Sequence, residues 1–173
     1  WNKKKIVVVT DHYVPVENDE TRAIQALTKK WVKDNEIDNF YDEQGICHIV
    51  LPERGHLTPG LFCVGGDSHS PTGGAFGAYM FGIGATEMAG VLATGSIWIQ
   101  TPETILMLWQ NQLRKYVTAK DMMLAMCRKI GMGGGRYQAI QFAGETIRNL
   151  PMQERMTLSN MAAELGAQAG LIA

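Results

Sequence analysis

"LFCVGGDSHSPTGG", Leu61 to Gly74, is the stretch on which the fold turns. Its first half, Leu61 to Gly66, is a short apolar run closed by glycine and reads as a buried strand. Its second half sets Asp67, Ser68 and His69 side by side between glycines. In open parallel sheets, sites form outside the carboxyl ends of strands. The stretch is therefore a tight turn or a site, and taken alone it leaves both open.

The same arrangement occurs upstream. "KIVVVT", Lys5 to Thr10, is a β-branched run that reads as a buried strand, and Asp11 and His12 follow it at once. "TRAIQALTKKWVKDN" then spaces Ile24, Leu27 and Trp31 as the apolar stripe of an amphipathic helix. "TILMLWQ" and "QAIQFAG" are further strand candidates, and the closing "AGLIA" is strand-like. "TAKDMMLAMCRKIG" opens on a capping box, Thr118 to Asp121, carries Met123, Met126 and Ile130 on one stripe, and ends at Gly131. "MQERMTLSNMAAELG" reads as a helix with Met156, Asn160 and Glu164 on one line. "GICHIVLPE" fits strand or helix. The run from Gly74 to Gly95 has glycines at 74, 77, 82, 84, 90 and 95 and is expected to be one tightly packed helix or a pair. Strands alternating with helices predict an α/β layer fold with a mostly parallel sheet, and the length suits a single domain.

Composition narrows the function. The chain has 173 residues, 46% hydrophobic and 19% charged, with 16 basic and 17 acidic side chains and a net charge of −1. That balance offers no basic field for nucleic acid. No apolar run approaches membrane-spanning length. The three cysteines, Cys47, Cys63 and Cys127, are odd in number and lack metal-ligand spacing, which suits buried thiols in the reducing cytoplasm. The chain opens on Trp1 and closes on an uncapped apolar segment, so it is expected to be a fragment.

Three chemistries fit the polar residues. Ser68 could be the nucleophile of a serine esterase, although adjacent serine and histidine side chains seldom meet in the geometry a base needs. His12, His48 and His69 could hold a metal, without a spacing such as HxxxH to support it. The acid–histidine pairs could instead run proton transfer on a bound substrate, since a carboxylate fixes an imidazole's tautomer and raises its basicity. His56, between turn residues, reads as a solvated loop histidine. Asn160 and Glu164 read on composition alone as an exposed polar stripe.

"TDH", "GICHIVLPERG", "GDSHSPTGGAFGAYMFGIGATEMAGVLATG", "TPETI" and "ERMTLSNMAAELGAQAGLIA" together resemble the large subunit of the aconitase superfamily. The nearest likeness is to its 3-isopropylmalate dehydratase and homoaconitase branch, over nearly the whole chain. The resemblance implies a hydro-lyase that removes and re-adds water on a hydroxy di- or tricarboxylic acid, with 3-isopropylmalate first and homoaconitase, aconitase or dimethylmalate-type substrates as alternatives. It implies a three-layer α/β/α domain of the aconitase cluster-domain type, a [4Fe–4S] cluster in the complete enzyme and a small swivelling partner subunit. Asp11 and His12 match the family's acid–histidine pair, and His48 matches a histidine partnered by Asp67. Ser68 matches a substrate-carboxylate contact, and His69 a group beside the reacting oxygen, with Glu164 as its partner. Asn160 matches the asparagine of the "NMxxE" segment. The family's cluster cysteines, one single and two in C-x-x-C, have no counterpart among Cys47, Cys63 and Cys127, so no metal ligand and no cluster are expected in this chain. Ser159 stands where a thiol often precedes the asparagine. RNA binding, known in relatives that lose the cluster, is disfavoured by the net charge.

Overall fold

A computed structural model of the chain describes residues 2–172. They fall into two compact units, Trp1–His56 with Leu92–Gly95, and Leu57–Val91 with Ser96–Ala173.

In the first unit, β1 (Val8–Thr10) pairs in parallel with β2 (Phe40–Asp42), Val8 opposite Phe40 and Thr10 opposite Asp42. The connecting helix α1 (Asp19–Asp34) starts on a capping box, in which Asn18 Oδ1 accepts the Thr21 N–H at 2.9 Å. The helix forms where the sequence predicts it, but its inner face differs. Leu27 is 69% exposed, Ile24 is also exposed, and the buried positions are Gln25 and Val32. On the buried side, Gln25 Nε2 donates to the Tyr13 carbonyl at 3.1 Å. The ambiguous "GICHIVLPE" resolves as a helix, α2 (Cys47–Glu53).

In the second unit, β3 (Phe62–Gly65) pairs in parallel with β4 (Tyr79–Gly82). Between them runs a 3₁₀ segment, Ser70–Phe76. The glycine-rich stretch is thus not one helix or a helix pair. It is a 3₁₀ turn, a strand and then α3 (Ala85–Thr94). Close backbone contact is the reason: a Cβ on Gly74 would sit 1.8 Å from the Gly170 carbonyl oxygen, and one on Gly73 would meet Met80 at 2.8 Å.

A three-stranded parallel sheet follows, β5 (Thr104–Leu108), β6 (Ala139–Ala143) and β7 (Ala169–Ile172), in that order. Ile140 lies opposite Ile105 on one side and Gly170 on the other. α4 (Ala119–Ile130), α5 (Glu145–Asn149) and α6 (Met152–Asn160) connect these strands. Met107, Met122, Met123, Ile140, Phe142, Leu158 and Leu165 make the core. Burying each such side chain contributes roughly 1.5–3 kcal/mol. Of the stripe expected on α4, Met123 is fully buried and Met126 packs against the core, while Ile130 at the last turn is 37% exposed. Among the described residues every strand pair is parallel and strands alternate with helices, so the fold is α/β.

One buried group in this core lacks a partner. Ser159 is 0% exposed and its Oγ accepts and donates no hydrogen bond among the described residues. An unsatisfied buried hydroxyl costs about 1–3 kcal/mol. Ser159→Ala is therefore expected to raise stability by about 1 kcal/mol, read as a higher urea midpoint at unchanged slope. A lower midpoint would mean that the hydroxyl is bonded.

Candidate active site

The first unit gathers Asp11, His12, Cys47 and His48. Asp11 leaves the end of β1, and its two carboxylate oxygens are both engaged. Oδ1 lies 2.7 Å from His12 Nδ1, and Oδ2 accepts the Cys47 backbone N–H at 2.6 Å. Burial alone would push the Asp11 carboxyl up. The Cys47 amide, His12 and the Cys47 thiol together outweigh it and hold the carboxyl below its ordinary value. A carboxylate at Nδ1 fixes that nitrogen as the protonated one. The His12 side chain is 66% exposed, while the Asp11 carboxyl behind it is only 9% exposed. His48 follows Cys47 in the first turn of α2, with its Nδ1 3.7 Å from Cys47 Sγ. His56 is not the solvated loop residue the sequence suggests: its Nε2 lies 2.7 Å from the Tyr41 hydroxyl, and the rings meet edge to face.

The second unit gathers Asp67, Ser68, His69, Asn160 and Glu164 at the end of β3. Bare backbone makes this turn possible. A Cβ on Gly82 would fall 2.5 Å from the Asp67 carbonyl oxygen, and one on Gly65 would collide with Ser70 Oγ at 2.2 Å. The Asp67 carboxylate closes the turn by accepting the His69 backbone N–H at 2.7 Å. His69 is then held at both ring nitrogens. Nε2 is 3.1 Å from Glu164 Oε1, and Nδ1 is 3.2 Å from Ser68 Oγ. Because a carboxylate only accepts, Nε2 carries a proton, and in the neutral ring Nδ1 accepts from the Ser68 hydroxyl. The neighbouring side chains of Ser68 and His69 do meet, contrary to the expectation from adjacency.

Glu164 is not on the helix with Asn160. α6 ends at Asn160, and Glu164 sits in the turns that follow. The chain there folds back so that Glu164 reaches His69 across 95 residues of sequence. Glu164 Oε2 is buried with no hydrogen-bond partner among the described residues. Asn160 Nδ2 donates to Thr72 Oγ1 at 2.9 Å. Thr72 and Cys47 are the residues the sequence reading passed over. The signal for Thr72 was its position three after His69, where a hydroxyl bonds back to the i−3 carbonyl. Beside Ser68 opens a cleft of about 440 Å³, lined also by Pro71, Phe81, Ile83, Tyr137 and Gln168.

Residues 3–173 match the description "Aconitase family (aconitate hydratase)". This chain belongs to the aconitase family. It is 44% identical over 173 residues to the probable 3-isopropylmalate dehydratase large subunit of Methanothermobacter thermautotrophicus, covering 99% of this chain and 41% of that protein. It is 44% identical over 175 residues to the methanogen homoaconitase large subunit of Methanocaldococcus jannaschii, covering 99% and 41%. It is 40% identical over 175 residues to the 3-isopropylmalate dehydratase large subunit of Halothermothrix orenii, covering 100% and 42%. The chain therefore spans about two fifths of the length of these relatives.

Proteins of the aconitase family typically bind a [4Fe–4S] cluster, whose protein ligands are thiolates. The residues described here do not fit one. Cys47, Cys63 and Cys127 lie on α2, β3 and α4, and no three His, Cys, Asp or Glu side chains among the described residues are placed to hold a metal ion. Burial pushes the Cys63 thiol up to about 11, so it stays protonated at neutral pH. No described helix is long and apolar enough to cross a membrane.

Proposed function

We propose that these residues are an α/β/α piece of the large subunit of a cytoplasmic hydro-lyase, which removes and re-adds water on a hydroxy di- or tricarboxylic acid. Its first substrate is 3-isopropylmalate, in leucine biosynthesis, and the hydroxy acid of a homoaconitase, an aconitase or a dimethylmalate-type dehydratase is the alternative. The observation that carries the reading is His69, braced by Glu164 at one nitrogen and Ser68 at the other, in a chain of the aconitase family. Hydroxide is a poor leaving group, so its departure calls for a positioned acid. The His12 imidazole, backed by Asp11 at Nδ1, is suited to give that proton from Nε2. The Ser68 hydroxyl is proposed to turn its one proton from His69 Nδ1 to a substrate carboxylate when substrate binds, and Asp67 to hold the turn that presents it. Asn160 binds substrate, and His48 takes part in the proton chemistry of the first unit.

The cleft beside Ser68 favours the alkyl-substituted substrate. Pro71, Phe81, Ile83, Ala163 and Ala167 line it, and no lysine or arginine among the described residues does. A third carboxylate there would be desolvated without a counter-charge, whereas an isopropyl group gains by burial.

When bound, a [4Fe–4S] cluster supplies Lewis-acid polarisation of hydroxyl and carboxylate oxygens. Its thiolates are proposed to come from parts of the full-length subunit other than these residues, as a single cysteine and a C-x-x-C pair. Relatives named as large subunits imply a small-subunit partner. This chain alone is proposed to have no turnover.

In the full-length enzyme with its partner, His12→Ala is expected to lower turnover on the hydroxy acid by about 10²–10⁴-fold while the cluster's visible absorbance stays unchanged. Loss of that absorbance would show that His12 serves assembly and not proton transfer. The Ser68–His69 contact at 3.2 Å gives a serine esterase some footing. Labelling of Ser68 by a fluorophosphonate probe would replace the hydro-lyase reading with that one.

A further inference from the structure

Thr72 is 3% exposed and stands inside the 3₁₀ segment, between two residues of the site. Its hydroxyl donates to the His69 carbonyl at 2.6 Å. A hydroxyl has one proton, and this one is spent, so towards any other neighbour the Thr72 oxygen can only accept. That neighbour is Asn160, at 2.9 Å. A carbonyl oxygen of Asn160 at that place would face a lone pair, so the amide must turn its NH₂ to Thr72. An amide orientation is set by such a network. The planar group then carries its Oδ1 on the edge away from Thr72.

We propose that Thr72 is a positioning residue. It fixes the Asn160 amide so that Oδ1, an acceptor, faces the substrate and takes a hydrogen bond from the hydroxyl of the hydroxy acid. The catalytic consequence rests on the hydro-lyase reading above; the orientation of the amide does not. The fold has little stake in this hydroxyl, because the His69 carbonyl also accepts the Thr72 backbone N–H at 3.0 Å. Removing the hydroxyl leaves that bond in place and releases Asn160 alone. Threonine to valine keeps the branched shape, and threonine to serine keeps the hydroxyl.

The test uses the full-length enzyme with its cluster and small subunit. Two competitive inhibitors are compared, a hydroxy dicarboxylate that is not dehydrated and its deoxy counterpart. Thr72→Val is expected to weaken the hydroxy inhibitor about 10-fold, the loss of roughly one hydrogen bond, and to leave the deoxy one within about twofold. Thr72→Ser is expected to restore the difference. In an Asn160→Ala background, Thr72→Val should have no further effect, since Thr72 acts through that amide. Equal weakening of both inhibitors, or additive effects of the two substitutions, would overturn the proposal. Independently, hydrogen exchange of the Asn160 side-chain amide, followed by NMR, should quicken in Thr72→Val and not in Thr72→Ser. Unchanged exchange overturns the proposal whatever the activity. A wild-type enzyme without hydro-lyase activity overturns the functional reading and leaves the exchange result standing.

Discussion

Gly74→Ala is expected to destabilise the chain by about 3 kcal/mol or more, enough to lose most of the folded protein at physiological temperature. The added methyl would lie 1.8 Å from the Gly170 carbonyl oxygen, 2.7 Å from its carbon and 3.3 Å from Leu171 Cα. All three are backbone atoms of β7, so no side chain can swing aside. Nor can β7 retreat as a strand. It is hydrogen-bonded to β6, and Gly170 is itself pressed on Ala162 and Phe142, where a Cβ would meet atoms at 2.7 Å and 3.2 Å. Relief must come from shifting the 3₁₀ segment, which carries Thr72 and begins beside His69, so the site is distorted with the fold. Gly90→Ala in the same glycine-rich stretch is the control. A Cβ there meets nothing within 4 Å, and Gly90 lies inside α3. Helix propensity then favours alanine by roughly 0.5–1 kcal/mol. Denaturant midpoints should move in opposite directions, and a Gly74→Ala protein as stable as wild type would refute the close approach of the 3₁₀ segment to β7.

That contrast explains how far the sequence could be read. The strands "KIVVVT", "LFCVGG", "TILMLWQ" and "QAIQFAG" were legible because β-branched and apolar runs between turn residues have few other uses. The Thr118–Asp121 capping box was legible because its two hydrogen bonds are local: the Asp121 carboxylate accepts the Thr118 N–H at 2.9 Å and the Thr118 hydroxyl at 2.8 Å. β4 was hidden because "YMFG" is a strand only by pairing with β3, and the glycines around it mark contacts made far along the chain. The inner face of α1 was misjudged because the period of its apolar residues put Ile24 and Leu27 inward, whereas Gln25 and Val32 are the buried positions. The site was legible as chemistry only in part. Aspartate next to histidine after two strands pointed to braced imidazoles, but neither Tyr41 beside His56 nor Glu164 beside His69 follows from spacing. Resemblance to the aconitase family had to supply the partner of His69, because a helix line from Asn160 to Glu164 is not what brings Glu164 there.

Glu164→Gln is expected to cut turnover of the full-length enzyme by about 10²-fold or more while leaving the fold as stable as before or slightly more so. Stability and activity should separate because the two carboxylate oxygens stand in different situations. Oε1 meets His69 Nε2 at 3.1 Å, and this bond keeps the proton on that nitrogen and orients the ring towards Ser68. Oε2 is buried and has no hydrogen-bond partner among the described residues. Burying part of an ionised carboxylate without a donor is unfavourable, and glutamine removes the charge at nearly the same volume. A glutamine can still offer its carbonyl oxygen to Nε2, so the ring stays in place. What it cannot do is stabilise a positively charged imidazole while a proton is passed. Sites that carry such a cost for their chemistry gain stability when it is removed. The measurement is a pair of numbers on each protein, the thermal midpoint and kcat, with Glu164→Ala for comparison. Glutamine should keep the midpoint and lose kcat, and alanine should lose both, because it also frees the ring. A glutamine variant that keeps wild-type kcat would reduce Glu164 to a structural brace, and the proton chemistry would then have to be sought at His12 and His48.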